Sequence, residues 1–174
     1  MLIFEDNCHL IFMQTLLQNT LPAHSRVWVY QANRVLTDTE AAKANELISA
    51  FLPQWKSHGK ELAASIELLH NLFIVVMADE GVEAPSGCSI DSSVKLVKEI
   101  QALLNIDFFD RLVLSYVQND KIELCKMFKF EEKLKAGEIN EDTLVFNNLV
   151  DTKAKLLSEW LVPVKSSWHK QLVK

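Results

Sequence analysis

The chain has 174 residues, of which 49% are hydrophobic, and it carries a net charge of −5. This length fits one domain, or one domain with a small appendage, and the apolar content is enough for a sizeable core. Because acidic and basic residues are interspersed, no basic field is present that would hold a nucleic acid or an anionic membrane surface, and neither is predicted as a partner.

The N-terminal residues 1–12 contain apolar side chains but also Glu5 and Asp6. They lack the basic start of a signal peptide and are shorter than the ~20 apolar residues that a membrane span requires. Met13 could serve as an alternative initiator, which would make residues 1–12 a poorly packed extension. No membrane association is therefore predicted.

The first regular elements are a strand and a helix. Residues 26–31, Arg-Val-Trp-Val-Tyr-Gln, are rich in β-formers and apolar on both faces, which predicts a central strand. Thr37 and Glu40 have the spacing of a capping box, and the helix that follows is predicted to end near Pro53 and to be closed by Gly59. Its apolar stripe consists of Ala41, Ala44, Ile48, Phe51 and Trp55.

Two strands and a second helix follow. In residues 62–68 apolar and polar side chains alternate, which predicts a strand with one exposed face. His70 and Asn71 are predicted to form a two-residue turn, and residues 72–78 a strand buried on both faces. The second helix starts at about Ile90 and has its apolar side at Val94, Val97, Ile100 and Leu104.

Residues 111–117 and 121–125 are predicted as a fourth and a fifth strand. The order β-α-β-β-α-β over residues 26–118 is that of the ferredoxin-like split βαβ fold, so the predicted class is α+β with a ferredoxin-like core. That fold places its first and third strands in the centre of the sheet, in agreement with their two apolar faces. The sheet face without helices then needs a cover, which the fifth strand and the C-terminal segment would supply, or the second subunit of a homodimer.

The remaining residues are predicted to form a different unit. A short helix over 130–136 ends at Gly137, a strand covers 143–146, and a helix over 153–160 is stopped by Pro163. The predicted organisation is an N-terminal extension (1–25), a ferredoxin-like core (26–126) and a small α+β C-terminal unit packed on it (127–174).

Five stretches of the chain together carry a resemblance to a known family. They are Arg-Val-Trp-Val-Tyr-Gln-Ala-Asn-Arg (26–34), Ser-Gly-Cys-Ser-Ile-Asp (86–91), Asp-Phe-Phe-Asp-Arg (107–111), Thr-Leu-Val-Phe-Asn-Asn (143–148) and Ser-Trp-His (167–169). Over nearly all residues after Met13, the chain resembles a small uncharacterised family of Bacteroidota proteins often labelled "ABC transporter ATPase". Such an ATPase needs a phosphate loop ending in Gly-Lys-Ser/Thr, but Gly59-Lys60 is followed here by Glu61. We therefore reject the ATPase activity.

The last part of the chain is similar to bacterial GYF-like modules. In residues 130–146 a short helix ends at a glycine and a Thr-Leu-Val strand with an aromatic residue follows, and Trp160 lies downstream. Phe146 stands where those modules have tryptophan, and Asn147 and Asn148 stand where they have Gly-Met. The resemblance implies peptide binding.

The loop around Gly87 is the main candidate site. A helix N-terminus has unpaired N–H groups and partial positive charge, which favour an anion or the thiolate of Cys88. A nucleophilic Cys88 needs a cation or base, and the predicted topology brings three to that end of the sheet: Arg26, His58 and Lys60. An anion site would use the backbone N–H groups from Gly87 to Asp91 and the hydroxyls of Ser86, Ser89 and Ser92. The alternative is a well-capped helix, with Ser89 or Asp91 as the cap and Cys88 a small buried thiol.

A second candidate patch lies at the opposite end of the predicted sheet. It contains Arg34, His70, Asp110 and Arg111. One interpretation is structural, with Asp110 and Arg111 forming an ion pair. The other is a polar ligand pocket, since arginine suits carboxylate recognition.

Two pairs of aromatic residues are also candidates. Trp28 and Tyr30 share a strand face with Arg26 and form either a ligand platform or part of the core or an interface. Trp160 and Trp168 either attach the C-terminus to the sheet or bind a peptide.

The cysteines and histidines indicate a reducing compartment and no metal. Cys8, Cys88 and Cys125 are odd in number and widely spaced, as free cytoplasmic thiols are, and the five histidines lack metal-ligand spacing. The predicted function is a cytoplasmic, non-ATPase interaction or ligand-binding protein without a cofactor, whose partner is a protein, a second copy or a small anionic ligand. The alternative is a small Cys88-dependent enzyme or an anion-binding protein.

Overall fold

The computed structural model describes residues 19–173. In chain order the elements are β1 (Arg26–Gln31), α1 (Asp38–Phe51), β2 (Lys56–Ser57), β3 (Lys60–Glu61), β4 (Ala64–Leu69), β5 (Phe73–Ala78), α2 (Gly87–Leu104), β6 (Val113–Gln118), β7 (Lys121–Lys126), α3 (Met127–Ala136), β8 (Leu144–Phe146), α4 (Lys153–Glu159) and β9 (Leu161–Pro163). Short 3₁₀ segments cover Leu52–Gln54, Val164–Ser166 and Trp168–Leu172. The α+β class is therefore confirmed, while Cys8, Met13 and the rest of residues 1–18 lie outside the described part of the chain.

The first sheet has three antiparallel strands in the order β1-β5-β4. All six residues of β5 are buried, as their uninterrupted apolar sequence predicts for a central strand. His70 and Asn71 connect β4 to β5 with φ values of 54° and 49°. The turn lies where it was predicted, and the Leu72 N–H closes it by donating to Leu69 O. Because Leu69 pairs with Phe73, however, the loop has three residues, 70–72, rather than the predicted two.

Helix α1 begins at the predicted capping box. The Thr37 side chain accepts from the Glu40 N–H, and the Glu40 carboxylate accepts from the Thr37 N–H. The helix ends at Phe51, where a 3₁₀ turn containing proline takes over. Gly59 does not close it, contrary to the prediction, but has φ 83° in the turn between β2 and β3. That short hairpin was not predicted, because two-residue strands carry no periodic pattern.

Helix α2 begins at Gly87, three residues before the predicted start. The Ser86 side chain accepts from the Ser89 N–H, so Ser86 is the N-cap and the prediction of Ser89 or Asp91 was wrong. Cys88 therefore lies within the first turn of the helix. The buried side of the helix consists of Ser89, Ser93, Leu96, Val97, Ile100 and Leu104, with Val94 half-buried.

The strand that was predicted as the fourth of the ferredoxin-like sheet belongs to another sheet. Strand β6 pairs with β7 and β8 in a four-stranded sheet of order β7-β6-β8-β9. The loop before it contacts the first sheet through Asn33, whose N–H donates to Asp107 O and whose side-chain oxygen accepts from the Asp107 N–H, and through the Phe109 ring, which meets that of Tyr30. The loop then turns at Asp110. The first three strands thus have the expected order, but β6 does not take the fourth position beside β1.

The C-terminal residues of the chain cover the first sheet on the face away from α1 and α2. The Phe73 ring on β5 lies 4.7 Å from that of Phe146 and 4.8 Å from that of Trp160, between ring centroids. The uncovered apolar face that favoured a homodimer is thus filled within one chain. Pro163 ends β9 rather than stopping a helix, since α4 already ends at Glu159.

The second sheet combines strands from two of the predicted units. Strands β6 and β7 come from the predicted core, and β8 and β9 come from the predicted C-terminal unit. In residues 19–173 no helix is both long and apolar enough to cross a membrane.

Candidate functional site

A cavity of about 550 Å³ lies along the outer edge of β1, between the two sheets. We call it the β1 cleft. Its walls are formed by Arg26–Gln31, by residues 108–111 and 113–114, by Phe146 and residues 148–151, and by Trp168 and His169. It occupies the place beside β1 that the predicted fourth strand would have taken.

Among residues 19–173, the outer edge of β1 is paired only at its two ends. The Ala32 N–H donates to Leu72 O. The backbone N–H and C=O groups of the even-numbered residues of β1 therefore point toward β5, and those of the odd-numbered residues point away from it. At the ends, the Val27 N–H donates to Asp151 O and the Asn33 N–H to Asp107 O. Between them, among the described residues, no backbone hydrogen bond reaches the outward N–H groups of Val29 and Gln31.

Aromatic side chains form one wall of the cleft. The Tyr30 ring meets the Phe109 ring edge-on at 5.7 Å, and the Arg26 guanidinium lies 4.7 Å from the centre of the Trp28 ring. Leu149 stands at the mouth of the cleft with 72% of its surface exposed. This wall offers an apolar surface for a flat or extended ligand.

The floor of the cleft is a chain of hydrogen bonds that joins the two sheets. Gln31 Oε1 accepts from Ser115 Oγ at 2.7 Å and from Asn148 Nδ2 at 2.8 Å, while Gln31 Nε2 donates to Val113 O at 3.1 Å. Asn148 Oδ1 in turn accepts from Trp160 Nε1 at 2.9 Å. The side-chain amides of Gln31 and Asn148 thus have hydrogen-bond partners within the protein, so they fix the floor of the cleft at little desolvation cost.

His169 is buried at the end of the cleft opposite β1. Its Nδ1 lies 2.9 Å from Ser167 Oγ, and its ring stacks on that of Trp168 with 4.0 Å between centroids. Burial lowers the pKa of His169 to about 4, so the imidazole is neutral at pH 7. Ser167 Oγ also accepts from the His169 N–H, which makes it the cap of a 3₁₀ turn.

One arginine at the cleft is available for an anion. Arg26 pairs with Glu80 at 3.1 Å, Asp151 pairs with Lys155 at 2.9 Å, and Asp110 pairs with Lys126. No ion pair within the described chain involves Arg111, which is exposed and lines the cleft. Since the acidic groups at the cleft already have cations, the guanidinium of Arg111 makes its mouth favourable for a carboxylate.

The hydroxyls predicted for an anion site beside Cys88 are engaged in the protein's own hydrogen bonds. Ser86 Oγ lies 2.8 Å from Ser89 Oγ, Ser89 Oγ donates to Lys56 O, and Ser92 Oγ donates to Ser89 O. This agrees with the well-capped helix. Cys88 itself is exposed, so its expected burial in that alternative was wrong.

The three cations proposed for Cys88 are not brought to it by any hydrogen bond or ion pair of residues 19–173. Arg26 is held by Glu80, and Lys60 is held by Glu83 at 2.9 Å. His58 lies in the turn between β2 and β3 with φ 50°. A reactive Cys88 and an anion at Gly87 and Asp91 stay predictions.

The second predicted patch is divided among separate contacts. Arg34 forms a bidentate ion pair with Glu40, with N–O distances of 2.7 and 2.8 Å. His70 packs against the rings of Phe73, Phe146 and Trp160. Asp110 pairs with Lys126 rather than with Arg111, because the turn at residues 110–112 faces the end of β7. Of the four residues, Asp110 and Arg111 lie at the β1 cleft.

Part of the cleft, including Asp110 and Arg111, was predicted from the sequence, but its floor was not. Trp28 and Tyr30, with Arg26, were recognised as a ligand platform or packing surface, and all three line the cleft. Gln31 and Asn148 were not singled out. Gln31 could have been noticed as a polar side chain on a strand that is otherwise mostly apolar. Its role was not predictable, because its partners Ser115 and Asn148 are 84 and 117 residues away in the chain.

Comparison with protein-family models, with curated proteins and with solved structures finds no match for this chain. Within residues 19–173 no group of three or more His, Cys, Asp or Glu side chains is arranged to hold a metal ion. The fold and the site together define an α+β protein with a cleft at the edge of β1, where no strand of residues 19–173 pairs along the middle of the edge.

Proposed function

We propose that this chain is a cytoplasmic binding protein, not an ATPase, and that the β1 cleft is its binding site. The observation that carries the proposal is the cleft itself, about 550 Å³ in volume and lined by aromatic side chains on one side. Ligand sites in proteins are typically concave, mostly apolar and of this volume, with a few polar groups that orient the ligand.

The charges at the cleft support a ligand that carries an acidic group. Arg111 lines the cleft and forms no ion pair with another described residue, whereas Asp110 and Asp151 are neutralised by lysines. A guanidinium and a carboxylate or sulfonate form strong charge-assisted hydrogen bonds. The ligand class is therefore an apolar molecule or segment with an anionic end.

The proposal is tested with anilinonaphthalene sulfonate, a fluorescent probe with an apolar body and an anionic group. We expect saturable binding of one probe per chain. Arg111→Gln removes the cation from the mouth, and we expect this variant to weaken binding about tenfold, since a hydrogen bond to a charged group contributes roughly 1.5–3 kcal/mol. The measurement is a fluorescence titration of the full chain.

A matched pair of surface substitutions provides the control. Leu149→Ser alters the mouth of the cleft and is expected to weaken probe binding, whereas Val82→Ser alters a side chain of nearly equal exposure, 71% against 72%, that does not line the cleft. Binding that is unsaturable, or equally affected by both substitutions, would contradict the proposal.

A further inference from the structure

We infer that the β1 cleft binds an extended polypeptide segment of a partner protein, which pairs with the outer edge of β1 as an additional strand. This inference rests on the proposed function of the cleft as a binding site and specifies its ligand. The partner segment carries apolar side chains and one acidic residue, which lies beside Arg111.

The first argument is the hydrogen-bonding capacity of the strand edge. The N–H groups of Val29 and Gln31 and the C=O groups of Val27 and Val29 point away from β5, and none has a backbone partner among the described residues. These N–H and C=O groups recur at every second residue, which is the spacing at which the backbone of an added strand forms hydrogen bonds. A small rigid ligand would satisfy one or two of them, whereas an extended peptide satisfies all.

The second argument is the length of the unpaired edge. The segment from Val27 to Gln31 spans about 14 Å at ~3.4 Å per residue. At each end a backbone segment of the protein already pairs with β1, through Asp151 O at Val27 and Asp107 O at Asn33. The gap therefore admits a segment of about four to five paired residues.

The third argument is that the cleft presents side-chain surface to both faces of an added strand. Trp28 and Tyr30 lie on the β1 face that packs toward the helices, and Val27, Val29 and Gln31 lie on the other face. Successive side chains of a strand alternate between its faces, so a bound segment would place apolar side chains beside Tyr30 and Phe109 on one side and beside Phe146 on the other. Arg111 supplies the charge complementarity for the acidic residue.

The experiment selects peptides from a random octapeptide display library on the full chain and measures the affinity of a synthesised winner. Val29→Pro removes the central outward N–H and costs no hydrogen bond to β5, since that N–H faces away from it. Val29→Thr keeps the N–H and a β-branched side chain. We expect the peptide to bind Val29→Pro at least about tenfold more weakly than Val29→Thr, provided that circular dichroism shows both variants folded.

A second probe separates strand pairing from simple occupation of the cleft. The selected peptide is resynthesised with N-methyl groups at alternating positions, which blocks its backbone hydrogen bonds and keeps its side chains. Strand addition predicts loss of binding in one of the two N-methylation registers, together with slower hydrogen exchange of the Val29 and Gln31 amides when the unmodified peptide binds.

Three outcomes would overturn the inference. They are failure of any peptide to enrich, equal binding of both N-methylated peptides, and slow exchange of the Val29 and Gln31 amides before peptide is added. Slow exchange at all protein concentrations would assign the edge to residues 1–18 of the chain, and slow exchange only at high concentration would assign it to a second copy. If anilinonaphthalene sulfonate still binds in the cleft, strand addition fails alone; if it does not, the proposed function fails as well.

Discussion

At the scale of single residues, His169 makes the stability of the protein depend on pH. Its imidazole is buried at the end of the cleft, and burial lowers its pKa from an ordinary 6.5 to about 4. As pH falls below ~6.5, the imidazole of His169 is therefore protonated in the unfolded chain but stays neutral in the folded protein. The free energy of unfolding is therefore unaffected by protonation of His169 above the ordinary pKa of the imidazole. It decreases progressively as pH falls from that value toward the pKa of His169 in the folded protein.

We expect the free energy of unfolding to decrease by on the order of 2 kcal/mol from about pH 7.5 to about pH 5 through this group alone. Urea denaturation at a series of pH values measures it. In His169→Gln this part of the pH dependence should disappear, whereas His58→Gln, an exposed histidine, should leave it unchanged. Glu67, whose pKa is raised by burial, acts in the opposite direction in all three proteins and cancels in the comparison. An unchanged slope in His169→Gln would contradict the prediction.

At the scale of elements, the start of α2 depends on one side chain. Ser86 Oγ accepts from the Ser89 N–H at 3.2 Å and lies 2.8 Å from the Ser89 hydroxyl. We expect Ser86→Ala to lower the free energy of unfolding by about 1 kcal/mol, as loss of an N-cap usually does. Ser86→Asp should retain most of the stabilisation, because aspartate also caps helices well. Denaturant unfolding checks both.

Ser92→Ala is the matched control for this helix, because Ser92 Oγ donates to Ser89 O inside the first turns and caps no N–H. Its effect should stay within about 0.5 kcal/mol, as for most surface substitutions. Equal losses in Ser86→Ala and Ser92→Ala would show that the cap does not determine where α2 begins.

At the scale of the whole molecule, Trp160 joins the two sheets. It is 1% exposed, its ring packs on Phe73 and Phe146, and its Nε1 donates to Asn148 in the floor of the cleft. Trp160→Ala should cost about 3–5 kcal/mol, the usual range for a large aromatic side chain removed from a core. Removal also leaves Asn148 Oδ1 without its donor, which loosens the cleft.

Thermal unfolding followed by far-ultraviolet circular dichroism and by tryptophan fluorescence measures this effect. Trp168→Ala is the control, because Trp168 is half-buried and packs on His169 and on the core of the second sheet rather than on the first sheet. We expect a clearly smaller loss in the control. A loss below about 1 kcal/mol in Trp160→Ala would mean that the sheets are held together elsewhere.

Local features of the fold were predictable because neighbouring residues decide them. The capping box of Thr37 and Glu40, the turn at His70 and Asn71, and the end of α3 at Gly137, with φ 71°, each depend on a few adjacent side chains and backbone angles. The complete burial of β5 followed in the same way from six consecutive apolar residues.

Contacts between distant parts of the chain were not predictable from such patterns. The sequence of β6 does not determine which sheet it joins, and only its pairing with β7 and with Val145 on β8 assigns it to the second sheet, where it is an inner strand. Asp110 was assigned to its neighbour Arg111, whereas the fold brings Lys126 to it from the end of β7. Trp28 and Tyr30 were recognised, but the cleft that they line also needs residues from three distant segments, 108–114, 146–151 and 168–169.

The sequence by itself determined the α+β class, the order and approximate limits of the main helices and strands, and the position of the turn between β4 and β5. These depend on periodicity and on caps, which act over three or four residues. Only the tertiary structure decided that β6 does not pair with the edge of β1, that the C-terminal residues cover the first sheet, and that Arg111 lines a cleft. Those outcomes depend on which surfaces bury one another across a hundred residues, and burial is a property of the assembled chain rather than of any segment.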